Sequence, residues 1–213
     1  MDNFNTVMNI ALILLTAAAI IFFMLKSRQH KWNRDEKHRL FLEAEDAANA
    51  VRKRDIDEEL FFEPDLSDLP AVQEGDPFKV ERFASRKMIY FRTPMSNLEL
   101  KQQYGPAQMD YIAQYEENFN EFLKSLTAWA ADLADSREFQ DVSDALLILG
   151  YAIAHGSEFR TTYKLAADLY AEAGETATLE ALMDTAERHH FRDPAIKRHI
   201  VDYIDGRLKG ISA

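Results

Sequence analysis

WAADLADSREFQDVSDALLILGYA (129–152) and YKLAADLYAEAGETATLEALMDTA (163–186) are the stretches that decide the fold. Set 34 residues apart, they align: Trp129, Ala145, Leu149 and Ala152 recur as Tyr163, Leu179, Met183 and Ala186. In each copy an aromatic comes first and a break follows. A small-or-apolar, large, small series then runs at four- and three-residue spacing, which puts it on one helix face. The break is SREFQD (136–141) in the first copy and Ala173-Gly174-Glu175 in the second, where glycine suits a helix terminus. Small residues let two helices approach and large ones fill the groove between them. The pattern therefore predicts an all-α fold of stacked antiparallel hairpins.

Reading outward, AIKRHIVDYIDGRLKG (195–210) follows Pro194 and carries Ile196, Ile200, Val201 and Ile204 on one face. It is expected to be a C-terminal helix capping the stack. Upstream, Ser96-Asn97-Leu98-Glu99 fits a capping box, in which hydroxyl and carboxylate each satisfy an unpaired backbone N–H. That short helix should stop at Gly105, with Pro106 in the first turn of the next. Met109, Ile112, Phe119, Phe122, Leu123, Leu126, Ala130 and Leu133 then make one stripe of a helix running to about Asp135.

On these residues the second half resembles the tetratricopeptide-repeat family. The better copy supplies Tyr163, Ala167, Tyr170, Gly174, Met183 and Ala186 at the signature positions. It departs at Leu179, where a small residue is usual, and Pro194 comes three residues late. The earlier copy keeps Trp129, Ala145, Leu149 and Ala152 but has Ser136 and Gln140 where tyrosine and glycine are expected. The resemblance covers about Leu126 to Phe191, within a helical domain taken as 96–213. It implies a concave groove for an extended peptide or partner helix, with Asn118, Arg160, Tyr163, Lys164 and Tyr170 as groove contacts.

Residues 55–95 read as an acidic, proline-punctuated strap. Asp55 to Asp76 holds nine acidic and no basic side chains. Leu60, Phe61, Phe62, Leu66, Leu69 and Phe78 are too apolar for a solvated linker. The strap is expected to lie across a hydrophobic surface, this molecule's own or a partner's, with Phe61, Phe62 and Leu66 as its contacts. KMIYFRTP (87–94) suits a short strand or extended piece ending at its proline. Residues 27–54 read as a basic amphipathic helix with Leu40, Phe41, Ala44, Ala47, Ala48 and Val51 on its apolar face. Lys26 to Arg54 contains nine basic and five acidic residues. That excess suits an anionic lipid surface, and Trp32 falls where an indole favours the membrane interface.

Residues 1–26 are expected to be a transmembrane anchor. From Ile10 to Leu25 every residue is apolar or small except Thr16. Val7 to Leu25 covers roughly 28 Å as a helix, close to a bilayer hydrocarbon core. Only Asp2 is charged before the run, whereas Lys26, Arg28, Lys31 and Arg34 follow it. The positive-inside bias then places the N-terminus outside and the C-terminal domain in the cytoplasm. A cleaved signal peptide is the competing reading, but the run lacks a preceding Lys or Arg and a small-residue cleavage site after its core.

The chain has no cysteine, which removes disulfides, thiolate zinc sites and cysteine nucleophiles. A net charge of −11 argues against nucleic acid as a partner. The seven glycines form neither GxxxxGK nor GxGxxG. His189, His190 and His199 lack metal-ligand spacing and are expected to face solvent, so no metal or cofactor is expected. The functional expectation is a non-enzymatic, single-pass interaction scaffold or adaptor whose partners are the bilayer and other proteins. The alternatives are a membrane-bound regulator occupied by its own acidic strap, a secreted helical protein, and a hydrolase with an unrecognised His/carboxylate site.

Overall fold

The computed structural model describes residues 35–211, together with Phe22 and Lys26. The expected anchor, Phe22 and Lys26 apart, lies outside the described residues, as does the start of the juxtamembrane helix. Among the described residues no helix is long and apolar enough to cross a membrane. This part of the chain is mostly helical, with almost no strand.

Residues 35–49 form α1, which stands largely in water; Ala48 is its one buried side chain. Lys101 Nζ lies 2.7 Å from Glu45 Oε1 and ties the end of α1 to the domain. The helix stops five residues before the expected boundary at 54, because the backbone there finds tertiary partners. Arg54 N–H donates to Tyr104 C=O at 3.0 Å, and Gln108 Nε2 donates to Arg54 C=O at 2.8 Å. This crossing requires Gly105: its φ is +80°, and a Cβ there would sit 2.8 Å from Arg52 O.

The strap is more structured than an extended linker. A 3-10 turn at Glu58–Leu60 leads into β1 (Phe61–Phe62), which pairs antiparallel with β2 (Met88–Ile89). In this register Phe61 faces Ile89 and Phe62 faces Met88. Between the strands lies a short helix, α2 (Val80–Ala84). Asp76, at φ +44°, turns its carboxylate onto the N–H groups of Val80 at 2.6 Å and Glu81 at 3.1 Å, and so caps α2 from outside.

The expected capping box forms at the start of α3 (Asn97–Tyr104): Glu99 Oε2 accepts from Ser96 N–H at 2.7 Å, and Ser96 Oγ accepts from Glu99 N–H. A 3-10 turn at Pro106–Gln108 leads into α4 (Met109–Ser136). Then follow α5 (Phe139–Ala154), α6 (Arg160–Glu172), α7 (Thr176–Arg188) and α8 (Pro194–Ile211). The breaks between α4, α5, α6 and α7 fall at Arg137, Gly156 and Gly174, all at positive φ. Short connections fold each helix back on its predecessor. α4 packs most extensively on α5, and α8 covers both α6 and α7.

All but one of the aligned positions that decided the reading are interior, and Met183 is half-buried against the same core. Trp129, Ala145, Leu149, Ala152, Tyr163, Ala167, Leu179 and Ala186 are all buried in one cluster, and Ile200 and Ile204 of α8 close it. A second cluster of Ile89, Phe91, Leu100, Tyr104 and Ile112 joins the strap to α3 and the start of α4. Ser157, in the turn between α5 and α6, is fully buried. Its hydroxyl donates to Thr162 Oγ1 at 3.2 Å, and Thr162 meets Thr127 at 2.8 Å, so the three hydroxyls satisfy one another where α4 and α6 approach.

Candidate functional site

The strap crosses the face formed by α4 and the end of α5. The Phe62 ring stands edge-on to Phe119 at 5.1 Å and to His155 at 5.2 Å. Phe61 tilts against Tyr115 at 5.9 Å, and Lys87 Nζ lies 5.2 Å from the Phe61 ring centroid. Leu66 is half-buried on the main core, as are Leu69, Val72 and Phe78. The acids between them, Glu63, Asp65 and Asp68, stay exposed. Tyr104 OH donates to Asp57 Oδ2 at 2.9 Å; burial and this carboxylate push the phenol up to about 12. Beside β1 a cleft of about 1010 Å³ opens between Phe61, Phe62 and Glu63 on one side and Arg86 and Lys87 on the other.

The five helical residues expected to line one groove do not converge. Tyr163 is 1% exposed and packs beside Phe191, so burial removes it from any ligand's reach and holds its phenol well above the ordinary value. Asn118 fastens β2 to α4: its Nδ2 donates to Lys87 C=O at 2.9 Å, and its Oδ1 accepts from Arg86 at 3.4 Å. Lys164 is exposed with its Nζ 4.6 Å from the Tyr203 ring centroid on α8, and Arg160 is exposed at the first turn of α6. Tyr170 lines a groove that it shares with Leu69 of the strap.

Among the described residues the nearest approach to a His/carboxylate pair is His189 Nε2 with Glu158 Oε1, 4.0 Å apart and beyond hydrogen-bond reach. His189 does not face solvent as expected. It is wedged edge-on against Phe191 at 4.6 Å. Burial, with His190 and Lys197 nearby, lowers its affinity for a proton. Glu158 is shifted the other way by burial, although its Oε2 accepts from Arg192 N–H at 3.1 Å. Arg192 Nη2 in turn pairs with Glu116 at 2.6 Å. These contacts pin the α7–α8 turn onto α4 and the start of α6. His190 and His199 are exposed. Among the described residues no three His, Cys, Asp or Glu side chains are grouped as metal ligands.

The surface that the sequence reading missed is the outer side of α5. Its buried face carries Ala145, Ile148, Leu149 and Ala152. The opposite face, at helical spacing, is Phe139, Ser143, Leu146, Leu147, Gly150 and Ala154, without one charge. Phe139 is 89% exposed and Leu147 49%. Two grooves flank this stripe. One of about 460 Å³ lies by Phe139, Val142, Leu165 and Leu169, and one of about 570 Å³ lies by Leu146, Leu147, Tyr151, Tyr170 and Leu69. A helix on the surface of a domain ordinarily turns a charged or polar face outward. The signal was present in DALLILGYAIA (144–154), whose apolar residues exceed what one buried face can use.

No known protein family, curated protein or solved structure matches this chain.

Proposed function

We propose that this protein is a membrane-tethered interaction scaffold without catalytic activity of its own, anchored by residues 1–26 with its C-terminal domain in the cytoplasm. α4 to α7 are read as two degenerate tetratricopeptide-like hairpins capped by α8. That reading is supported by the burial of Trp129, Ala145, Leu149 and Ala152 in one copy and of Tyr163, Ala167 and Ala186 in the other, and by positive-φ breaks at Arg137 and Gly174. The observation that carries the functional reading is the uncharged outer stripe of α5, with Phe139 and Leu147 in water beside two grooves. Exposed apolar surface of this kind marks a place where another molecule docks.

A second reading is favoured by the path of the strap. Asp68 and Leu69 form one wall of the 570 Å³ groove, so the strap partly occupies the surface a partner would use. On that reading the protein is a regulator, and the strap yields when a partner arrives.

Photo-crosslinking in intact cells tests the proposal. A photoreactive residue at 139 or 147 should give discrete adducts in the membrane fraction, and one at His190 should not. A reporter fused after Ala213 should behave as cytoplasmic. Identical labelling from all three positions would remove the docking surface, and a translocated reporter would overturn the orientation.

A further inference from the structure

We propose that the outer face of α5 docks a cationic amphipathic helix of a partner protein. The proposal rests on the interaction-scaffold reading and names the chemistry of its partner. The stripe from Phe139 to Ala154 runs for about 22 Å, the length of a four-turn helix. Its apolar and small side chains leave room for a second helix to lie alongside, with its larger side chains entering the flanking grooves.

The rim selects the charge. The two grooves are bordered by Asp68, Asp135, Asp168 and Glu172 against the single guanidinium of Arg137. Asp168 is already committed to Arg207 and Tyr203. Among the described residues no cation lies within ion-pair distance of Asp68, Asp135 or Glu172, and all three are exposed, as is Glu138 beside Phe139. An apolar stripe with an acidic border fits a helix that is apolar on one side and Lys/Arg-rich at its edges, since complementary potentials steer and hold such a partner. A second copy would bring the same acids against themselves. An anionic lipid surface would be repelled for the same reason. The chain's own α1 does not supply the charge either, because residues 35–49 hold five acids and two bases.

The test uses the full chain in nanodiscs of uncharged lipid, titrated with three fluorescent peptides. One is a Leu/Lys peptide with leucines at i, i+3, i+4 and i+7 spacing. The second is the same composition scrambled, and the third is the Leu/Glu counterpart. Partitioning of peptide into the disc is common to wild type and variants and cancels in their comparison. The Leu/Lys helix should bind at least tenfold more tightly than either other peptide. That excess should be lost in Leu147→Glu, and it should fall severalfold in Asp135→Lys/Glu138→Lys and on raising salt from 50 to 300 mM. Circular dichroism and thermal melts of each variant establish that it is folded. Equal binding of the Leu/Glu helix would overturn the cationic partner and leave the docking surface standing. Equal binding of the scrambled peptide would reduce the effect to net charge and overturn the proposal. Homodimer adducts from position 147 would replace the partner with a second copy. If no peptide binds, the proposal fails; adducts from position 147 in cells would then still support the scaffold reading, and their absence would end both.

Discussion

Phe62 of the strap stands edge-on to Phe119 of α4, ring centroids 5.1 Å apart and planes at 76°. This contact joins residues far apart in sequence, and it makes the acidic strap part of the folded domain. Aromatic pairs in such an edge-to-face arrangement add about 0.5–1.5 kcal/mol beyond the area they bury.

Phe62→Ala should therefore destabilise the domain by about 1–3 kcal/mol, less than a fully buried phenylalanine loses because the ring is only half-buried. Amide exchange checks the mechanism. In the wild type, residues 59–69 should be protected, and the substitution should open that segment before the helices. Full exchange of 59–69 within seconds in the wild type would contradict a docked strap.

Gly105 and Gly206 offer a paired test of the backbone. At Gly105 the positive φ and the carbonyl of Arg52, 2.8 Å from any added Cβ, leave no room for a side chain. Gly206 lies within α8, and a Cβ there would meet nothing within 4 Å. Urea midpoints should fall for Gly105→Ala and rise for Gly206→Ala, the latter by up to about 1 kcal/mol from helix propensity. The reverse order would mean that the crossing of residues 51–54 over α3 is misplaced.

The pH dependence of stability follows from His189 and Glu158. His189 is held below its ordinary value of 6.5 in the fold, so the unfolded chain takes up the proton more readily. Its contribution is complete above about pH 6.5 and is lost as pH falls through the lower folded value. Glu158 is raised above 4.5, so its contribution is complete below 4.5 and declines as pH rises through its own folded value. His189→Gln should flatten the fall in urea midpoint on the acid side of pH 6.5. Glu158→Gln should flatten the decline above pH 4.5. Unchanged slopes in both would show that neither group is displaced by its surroundings.

The helix crossings can be tested at Ala186, which is fully buried. Ala186→Trp has no room for an indole and should cost about 1–3 kcal/mol or more from overpacking. His190→Ala, at an exposed position, should change the melting temperature little. The opposite ranking would contradict close packing of α7.

What the sequence revealed and what it hid divide along physical lines. Ser96/Glu99, Gly105, Gly174 and Pro194 punctuate the helices through local backbone chemistry, which a sequence displays directly. Trp129 and Ala186 were legible as core because their spacing matches the helix period. The end of α1 was not legible, because Arg54 leaves the helix for Tyr104 and Gln108, partners about fifty residues away. Nor was the pairing of Phe61 with Ile89, for the same reason. Tyr163 looked like a groove contact because a tyrosine can serve either a surface or a core; its burial beside Phe191 is a tertiary fact. Leu147 was not picked out as a surface residue, because an apolar side chain on a helix reads as core until the excess of apolar residues over one buried face is counted.

Footprinting of the outer face of α5 tests the central claim most directly. Hydroxyl-radical labelling of Phe139 and Leu147 would be compared between the purified chain and the same chain in native membranes, with the exposed Tyr111 as reference. A docking surface predicts heavy labelling of Phe139 and Leu147 in the purified protein, severalfold protection of both in membranes, and no change at Tyr111. Equal labelling of Phe139 and Leu147 in the two preparations would contradict it and leave α5 as a solvated helix face.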